Sequence, residues 1–336
     1  MTDTKSGVSR RVALSTAGAA ATAAAVVSPP SPHAQESSMT KAVPKLKRIK
    51  TVTIAVPDLS AIEPLYRDWL GYAVVERGQV AKDLAVSWGA PKSAGRDFIV
   101  MQPESGTDVF IRAVEIDPVP GYKAMTTWGW NAIEIIVDDP DALYEKLLDS
   151  PFTLLGKPAG LKNYPSIRAT QFKGPAEDVL YLTAETGDRT NSLLPRPGAF
   201  VGRVFIMVVA GPDINALQDW YADTFDMARG PINNSPIDLI NDAQGLPKGS
   251  ERPLTILGMS EHGNILELDG YGKNTGPRPR NDGQLPPGIA ITSVMVESID
   301  DLNVETIVPP ISFGGGRLAT VVGPAGELLE LLEESA

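Results

Sequence analysis

Carboxyl, phenol and guanidinium groups are the side chains that could do chemistry in this sequence. The chain has 336 residues, no cysteine and two histidines. Without cysteine there is no disulfide, no thiolate nucleophile and no zinc site built on thiolates. His33 lies in a stretch interpreted below as a removable signal. His262 lies in a Ser-Glu-His-Gly-Asn run typical of a hairpin turn, where a surface histidine is favoured over a catalytic one. Glutamate, tyrosine and arginine remain as the candidates.

The composition describes a globular, acidic protein. Hydrophobic residues make up 43% of the chain, which is enough for a large core, and the length indicates about two domains. The formal net charge is −11. Because binding to nucleic acid needs basic surface, this charge argues against such a partner. The one short basic run, KLKRIK at 45–50, is interpreted as a solvated strand edge.

The first 34 residues are predicted to be a twin-arginine type of signal peptide. Ser9-Arg10-Arg11 precedes an Ala-rich, weakly apolar stretch, and cleavage is expected after Ala34. The apolar stretch is too short for a membrane span. A disordered basic tail is the alternative. The sequence thus predicts a periplasmic or secreted protein without a membrane span in its mature form, with residues 35–46 as a linker.

A repeated phrase indicates the elements that must hold the candidate side chains. Residues 57–72 read PDLSAIEPLYRDWLGY and residues 212–227 read PDINALQDWYADTFDM, 155 positions apart. Before the first copy, the β-branched alternation of residues 51–56 predicts a strand, which Pro57-Asp58 ends. Apolar residues then recur at helical spacing. Three short strand candidates follow, so the unit is predicted to be a βαβββ module.

The same pattern occurs four times. Module two spans 131–185, module three opens at 203–209 and module four opens at 291–296. The closing phrase GPAGELLEL at 323–331 matches GPAEDVLYL at 174–182, and module four has too few residues for a full helix. We therefore predict an α+β fold in which module one pairs with two, and three with four. The predicted domains are 47–190 and 191–336, the second with a shortened helix in module four.

Four such modules, with the strand, Pro-Asp, helix, Leu-Gly phrase and the G-P-x-G-x-x-x-E-L closing strands, resemble the vicinal oxygen chelate superfamily. This superfamily includes glyoxalase I, bleomycin-resistance proteins and extradiol dioxygenases. The resemblance covers residues 47–336. It implies that each pair of modules curls its sheet into a cup around a divalent metal. The ligands would come from the first strand of each module, usually histidine, and from the closing strands, usually glutamate.

This chain departs from that pattern at the ligand positions of the predicted first domain. The first strands offer Thr51, and Ala132 or Asn131; the closing strands offer Ile111 or Arg112, and Tyr181. None of these side chains is a strong ligand for Zn²⁺, Fe²⁺ or Mn²⁺. We therefore expect no metal cofactor in this domain.

The predicted second domain keeps two glutamates at closing-strand positions, Glu267 and Glu330. Its first strands offer Arg203 or Ile206, and Ile291 or Thr292. The two carboxylates could bind a divalent cation weakly, or could transfer protons while Arg203 orients a substrate oxyanion. In the other interpretation both glutamates face solvent.

If the face of Ala132 lines a cup, Glu134 lies on that face too. Glu134 could then act as a base and Tyr181 as an acid, while Arg112 stabilises an enolate or carboxylate. Such a trio suits proton abstraction next to a carbonyl. The alternative is that Glu134 pairs with a surface lysine and that Tyr181 packs in the core.

The substrate contacts predicted beside this trio are Thr51, Thr53, Trp130 and Arg203. Trp128 and Trp130 could stack on an aromatic ligand or simply pack against the protein.

Three functions are compatible with these residues. The first is an exported, metal-independent lyase or isomerase acting on a small carbonyl-containing or aromatic substrate. The second is a non-catalytic protein that sequesters a small molecule, as bleomycin-resistance proteins do. The third is a divalent-metal enzyme using Glu267 and Glu330. In each case the partner is a small molecule, and a homodimer is compatible with the sequence.

Overall fold

The computed structural model describes residues 43–162 and 164–334. The predicted signal peptide and residues 35–42 of the predicted linker lie outside the described residues. Within the described residues no helix is both long and apolar enough to cross a membrane.

Module one has the predicted order and two added short helices. Its elements are β1 Leu46–Val56, α1 Leu59–Leu70, β2 Tyr72–Gln79, α2 Lys82–Ser87, a 3-10 turn Pro91–Ser93, β3 Asp97–Pro103 and β4 Phe110–Glu115. Helix α1 begins where the side chain of Asp58 accepts a hydrogen bond from the backbone N–H of Ser60, and it ends at Gly71 with φ of 73°. Both residues belong to the repeated phrase.

Modules two and three repeat this plan. Module two consists of β5 Gly129–Val137, α3 Pro140–Leu147, β6 Thr153–Gly160, β7 Ile167–Lys173 and β8 Val179–Glu185. Module three consists of β9 Val201–Gly211, α4 Ile214–Phe225, β10 Asn233–Pro236, α5 Asp238–Gln244, β11 Glu251–Gly258 and β12 Ile265–Gly270. Asp139 and Asp213 cap α3 and α4 through their side chains, as Asp58 caps α1.

Module four is reduced to strands. It contains β13 Gly288–Val296, β14 Ile311–Phe313, β15 Gly316–Val322 and β16 Leu328–Glu333, with no helix between β13 and β14. The sequence predicts a shortened helix in this module, and the structure has none between these two strands.

The sixteen strands form two curled sheets of eight. Sheet one has the order β14-β15-β16-β13-β1-β4-β3-β2, and sheet two has the order β10-β11-β12-β9-β5-β8-β7-β6. Sheet one therefore joins modules one and four, and sheet two joins modules two and three.

The predicted pairing of module one with two, and of three with four, is wrong. Residues 47–190 and 191–336 each contribute to both sheets, because β1 pairs with β13 and β5 pairs with β9, both antiparallel. A sequence repeat shows which segments are alike but not which first strands become neighbours.

One apolar cluster joins the two sheets on their helix-covered faces. It contains side chains from α1, α3 and α4 and from strands of both sheets. The opposite face of each sheet is its concave side. We call the concave side of sheet one cup one, and that of sheet two cup two.

Two buried hydrogen bonds tie a helix of one module to the closing turn of the next. Tyr66 of α1 donates to Asp178 Oδ2 at 2.6 Å, and Tyr221 of α4 donates to Glu327 Oε1 at 3.0 Å. Burial raises the pKa of Asp178 to about 6 and that of Glu327 to about 7. Modules one and two, and modules three and four, are therefore connected through these bonds although they lie in different sheets.

Candidate functional site

Four side chains from neighbouring strands form the floor of cup one. Thr53 of β1 lies opposite Arg112 of β4, and Ser293 of β13 lies opposite Glu330 of β16. All four are buried. They share the concave face because their positions alternate with apolar residues that enter the core between the sheets.

The floor is a connected hydrogen-bond network. Arg112 Nε donates to Thr53 Oγ1 at 2.9 Å, and Arg112 Nη2 lies 3.4 Å from each oxygen of Glu330. Ser293 Oγ donates to Glu330 Oε1 at 2.6 Å, and Trp88 Nε1 donates to Glu330 Oε2 at 2.6 Å. The Trp88 ring also lies 4.7 Å from the guanidinium carbon of Arg112. Trp88 thus orients both members of the ion pair.

In this network the guanidinium of Arg112 has N–H donors left over, whereas the carboxylate of Glu330 has no acceptor position left. A carboxylate offers about four lone-pair positions, and Glu330 receives a side-chain donor and the guanidinium at each oxygen. The guanidinium has five N–H donors. Among the described residues Arg112 Nη1 has no hydrogen-bond partner. Arg112 Nη1 is therefore a cationic donor on the floor that can bind a ligand.

Cup one is open and has apolar walls. Its cavity has a volume of about 430 Å³, within the range of roughly 300–1,000 Å³ common for small-molecule sites. Aromatic walls come from Phe98, Phe110 and Phe313, and the floor from Arg112 and Glu330. The remaining lining residues are Lys50, Thr51, Val75, Glu76, Leu84, Trp88, Val100, Gln102 and Leu332.

Cup two has a different floor. Glu134 of β5 lies opposite Tyr181 of β8, and Glu267 and Asp269 come from β12. Thr183 donates a short hydrogen bond to Glu134 Oε1. All these side chains are buried, so cup two contains three carboxyl groups close to a phenol.

Burial dominates the protonation of these carboxyl groups. It raises the pKa of Glu134 and that of Asp269 to about 7, although Thr183 and Arg252, respectively, oppose the shift. Burial, then the charges of Asp269 and Glu134, raises the pKa of Glu267 well above its ordinary value. Both oxygens of Glu267 and of Asp269 are buried without a hydrogen-bond partner among the described residues. Burial therefore favours the protonated form of all three carboxyl groups and shifts their titration toward neutral pH.

Apolar side chains fill cup two on both sides of the carboxyl cluster. Ile237, Leu239 and Ile240, in and before α5, pack with Leu254 and Met125 in one apolar cluster. A second apolar cluster contains Leu161, Ile167, Leu194, Phe205, Ile206, Ile256 and Ile265. Cup two is thus a packed interior, whereas cup one is an open cavity.

The predicted catalytic trio is not brought together. Arg112 lies in cup one, while Glu134 and Tyr181 lie in cup two. The separation follows from the module pairing, because β4 belongs to sheet one and β8 to sheet two. Thr51 and Thr53 are on the concave face of sheet one with Arg112.

The other two predicted substrate contacts lie outside both cups. Trp130 belongs to the core between the sheets, where its Nε1 donates to the carbonyl of Leu328 at 2.8 Å. Arg203 donates to the carbonyl of Gly263 at 2.9 Å and to Asn264 Oδ1 at 3.1 Å. Neither side chain can therefore contact a ligand bound beside Arg112 in cup one, although Trp130 lines a smaller cavity with Trp128 and Arg278. His262 is exposed, as expected.

The residues present do not fit the divalent metal that the resemblance implies. Glu267 and Glu330 lie in different sheets, so the predicted carboxylate pair does not form. In cup one the cationic guanidinium of Arg112 lies beside Glu330. Across residues 43–162 and 164–334, no group of three or more His, Cys, Asp or Glu side chains could hold a metal ion.

Sequence reasoning missed three contributors to the two floors. Trp88 directly follows α2, a helix that the sequence does not predict. Ser293 lies one position beyond the two residues considered in β13, and Asp269 lies two positions beyond Glu267 in β12. Strict alternation along β12 from Glu267 places Asp269 on the same face. No sequence signal places Trp88 over Arg112.

Comparison with solved structures identifies the architecture. Glyoxalase I from Zea mays superposes with a TM-score of 0.57 at 15% identity, covering 85% of this chain and 92% of that chain. A proposed dioxygenase from Bacillus subtilis superposes with a TM-score of 0.57 at 12% identity, covering 88% of this chain and 87% of that chain. No model of a protein family matches the sequence, and no curated protein matches it.

Two curled sheets built from four repeated modules, together with these superpositions, define a two-domain protein of the vicinal oxygen chelate fold. The fold predicted from the sequence is confirmed. At identities of 12% and 15% the comparisons carry the fold alone.

Proposed function

We propose that this protein binds a small, largely apolar molecule in cup one, with a polar atom of that molecule on Arg112 Nη1. The open cavity of about 430 Å³, whose floor presents Arg112 Nη1 without a hydrogen-bond partner among the described residues, carries this proposal. Apolar walls with a few polar groups are typical of small-molecule sites. Binding is favoured over catalysis here because Glu330 has no acceptor position left to take a proton.

A cavity-filling variant tests the location of the site. Val100→Trp places an indole in cup one beside Arg112, the partner of Val100 on the neighbouring strand. We expect ligand affinity to fall at least tenfold, measured by titration calorimetry with ligands found in a small-molecule screen. Val322→Trp is the matched control, since Val322 is exposed and lies outside cup one. Equal affinity of both variants and the parent protein would place the ligand elsewhere.

Binding in cup one is expected to be independent of metal ions. Arg112 provides the positive charge that a divalent cation would otherwise bring to the floor. We expect the same affinity with and without EDTA, and less than one metal ion per ten chains in protein purified without chelator. A stoichiometric metal, or loss of binding in EDTA, would contradict the proposal.

Metal-independent proton transfer in cup two is the second candidate function, as in a lyase or isomerase. Glu134, with a pKa raised to about 7, lies in register with Tyr181, and a carboxyl group of that pKa can both take and release a proton near neutral pH. Because cup two is packed, the substrate would have to displace the apolar side chains of α5 that fill the cup. The carboxylate would then take a proton from the carbon beside the carbonyl group of the substrate.

Exchange of such a proton with D₂O, followed by NMR, tests this candidate. The exchange rate should fall at least a hundredfold in Glu134→Gln and stay unchanged in Arg112→Gln, since Arg112 lies in the other cup. An unchanged rate in Glu134→Gln would exclude Glu134 as the base.

We also propose that the protein is exported, on the basis of the Arg10-Arg11 signal. Cell fractionation should recover a chain shortened by about 34 residues outside the cytoplasm. Replacing both arginines with lysine should retain the full-length chain inside. Export of that variant at the parent level would overturn the twin-arginine assignment.

A further inference from the structure

The charges on the floor of cup one cancel. Arg112 and Glu330 form an ion pair at 3.4 Å, with side chains 7% and 1% exposed. The other charged residues lining the cavity are Lys50 and Glu76. Lys50 makes a close ion pair with Asp108, and Glu76 is exposed to solvent. The interior of the cavity therefore carries no net charge that a ligand could neutralise.

A charged ligand would be disfavoured on such a floor. A carboxylate on Arg112 Nη1 would add a second anion beside Glu330 in a cavity walled by three phenylalanines. Removing an ion from water without a compensating partner costs several kcal/mol. Since the charge of Arg112 already balances that of Glu330, the ligand's charge would remain uncompensated. A cationic ligand meets the opposite problem, because Glu330 has no free lone pair and Arg112 repels it.

The free groups of the floor select the polar atom of the ligand. Arg112 Nη1 can only donate hydrogen bonds. The group that meets it must be an acceptor, such as the oxygen of a ketone, an amide or an ester. The ring walls of Phe98, Phe110 and Phe313 favour a flat body, because aromatic rings stack on one another.

We infer that cup one selects uncharged, flat molecules with a carbonyl-type acceptor and rejects the corresponding carboxylates. This inference rests on the proposed binding function and names its ligand class. Glu330 is then a residue that determines specificity through charge, although it makes no contact of its own with the ligand.

Matched pairs of ketone and carboxylate test the inference. Acetophenone with benzoate, and 2-acetylnaphthalene with 2-naphthoate, differ little in shape but by one charge at pH 7.5. Calorimetric titration of the full chain is expected to give at least tenfold tighter binding of each ketone. Glu330→Gln keeps the shape of the floor but leaves Arg112 without its counter-charge. In this variant the carboxylates should gain at least tenfold in affinity and approach or exceed the ketones.

Controls separate the inference from the function on which it rests. Glu104→Gln changes an exposed acidic residue outside cup one and should leave the ketone preference unaltered. If Glu330→Gln does not fold, the ratio in the parent protein decides the matter, because equal or tighter binding of the carboxylates overturns the inference. Failure of every pair to bind would instead remove the cup-one site itself. An unchanged preference in a folded Glu330→Gln would show that charge cancellation is not its cause.

Discussion

The two cups carry opposite chemistry at equivalent positions. Cup one has Thr53, Arg112, Ser293 and Glu330, and the corresponding positions of cup two hold Val208, Glu267, Glu134 and Tyr181. In cup one a guanidinium forms an ion pair with a carboxylate. In cup two the three carboxyl groups of Glu134, Glu267 and Asp269 share the floor without such an ion pair. The same backbone therefore supports an ion pair in one cup and a proton-holding cluster in the other.

The cluster of cup two should make stability depend on pH. Glu134 has a pKa raised from 4.5 to about 7 in the folded protein, so the folded state holds a proton that the unfolded state has released. Its contribution is full below pH about 4.5 and is lost as pH rises to about 7. At pH 8 we expect the free energy of unfolding of Glu134→Gln to exceed that of the parent protein by about 3 kcal/mol, so that the variant is the more stable of the two.

Denaturant titrations at pH 4.5 and pH 8 check this expectation. The advantage of Glu134→Gln should disappear at the lower pH, where the parent carboxyl is also protonated. Glu305→Gln, at an exposed position, is the control and should show no difference at either pH. A stabilisation of equal size at both values would mean that packing, not protonation, is responsible.

Strand alternation predicts the faces of these residues but not their partners. Thr51 and Thr53, and Ala132 and Glu134, lie on concave faces as the period of two requires. Arg112 and Tyr181 were expected in one site because both close a module. Their separation depends on which closing strands share a sheet, and that is a long-range property.

At the scale of elements, capping and repeat signals predict the main helices well. Helices α1, α3 and α4 all begin at an Asp that caps through its side chain. The sequence does not predict α2 and α5, which are six and seven residues long. Neither has a side-chain cap, so tertiary packing over the two cups stabilises them instead.

The hydrogen bonds from α1 and α4 to the closing turns should contribute measurably to stability. Tyr221→Phe removes the donor to the buried carboxyl of Glu327, which keeps the backbone N–H of Ala325 as a partner. We expect a loss of about 1–2 kcal/mol in the free energy of unfolding, followed by denaturant titration.

Tyr144→Phe provides the comparison for this loss. Tyr144 lies on α3 and is only partly buried, packing with its ring on Phe172. Removal of its hydroxyl should change stability by less than about 0.5 kcal/mol. Equal effects of the two substitutions would show that the bond to Glu327 adds nothing.

At the scale of the whole molecule, every strand of sheet two lies in one continuous segment, residues 129–270. Sheet one takes its strands from the segments before and after it. The repeat predicts two cups of eight strands. It does not predict this nesting, in which the segment that forms sheet two lies between the two segments that form sheet one. Either pairing satisfies the local patterns of all four modules equally. What decides between them is the contact of β1 with β13 and of β5 with β9.

Nesting predicts the effect of shortening the chain. A protein that ends at Pro287 lacks β13–β16 and retains all strands of sheet two. We expect it to lose ligand binding in cup one completely, because Ser293 and Glu330 leave with those strands. It should also bind the dye ANS more strongly than the full chain, since the apolar side of β5, which contacts β13 in the shared core, becomes uncovered. Ligand binding by the shortened protein would contradict the assignment of the site to sheet one.

The central position of β13 between β16 and β1 also sets an order of events during synthesis. The first strand leaves the ribosome early, yet its second neighbour is translated only after the whole of the other sheet. During that interval one edge of β1 has open backbone groups, which other chains could pair with. The late arrival of module four thus exposes the newborn protein to self-association for most of its translation.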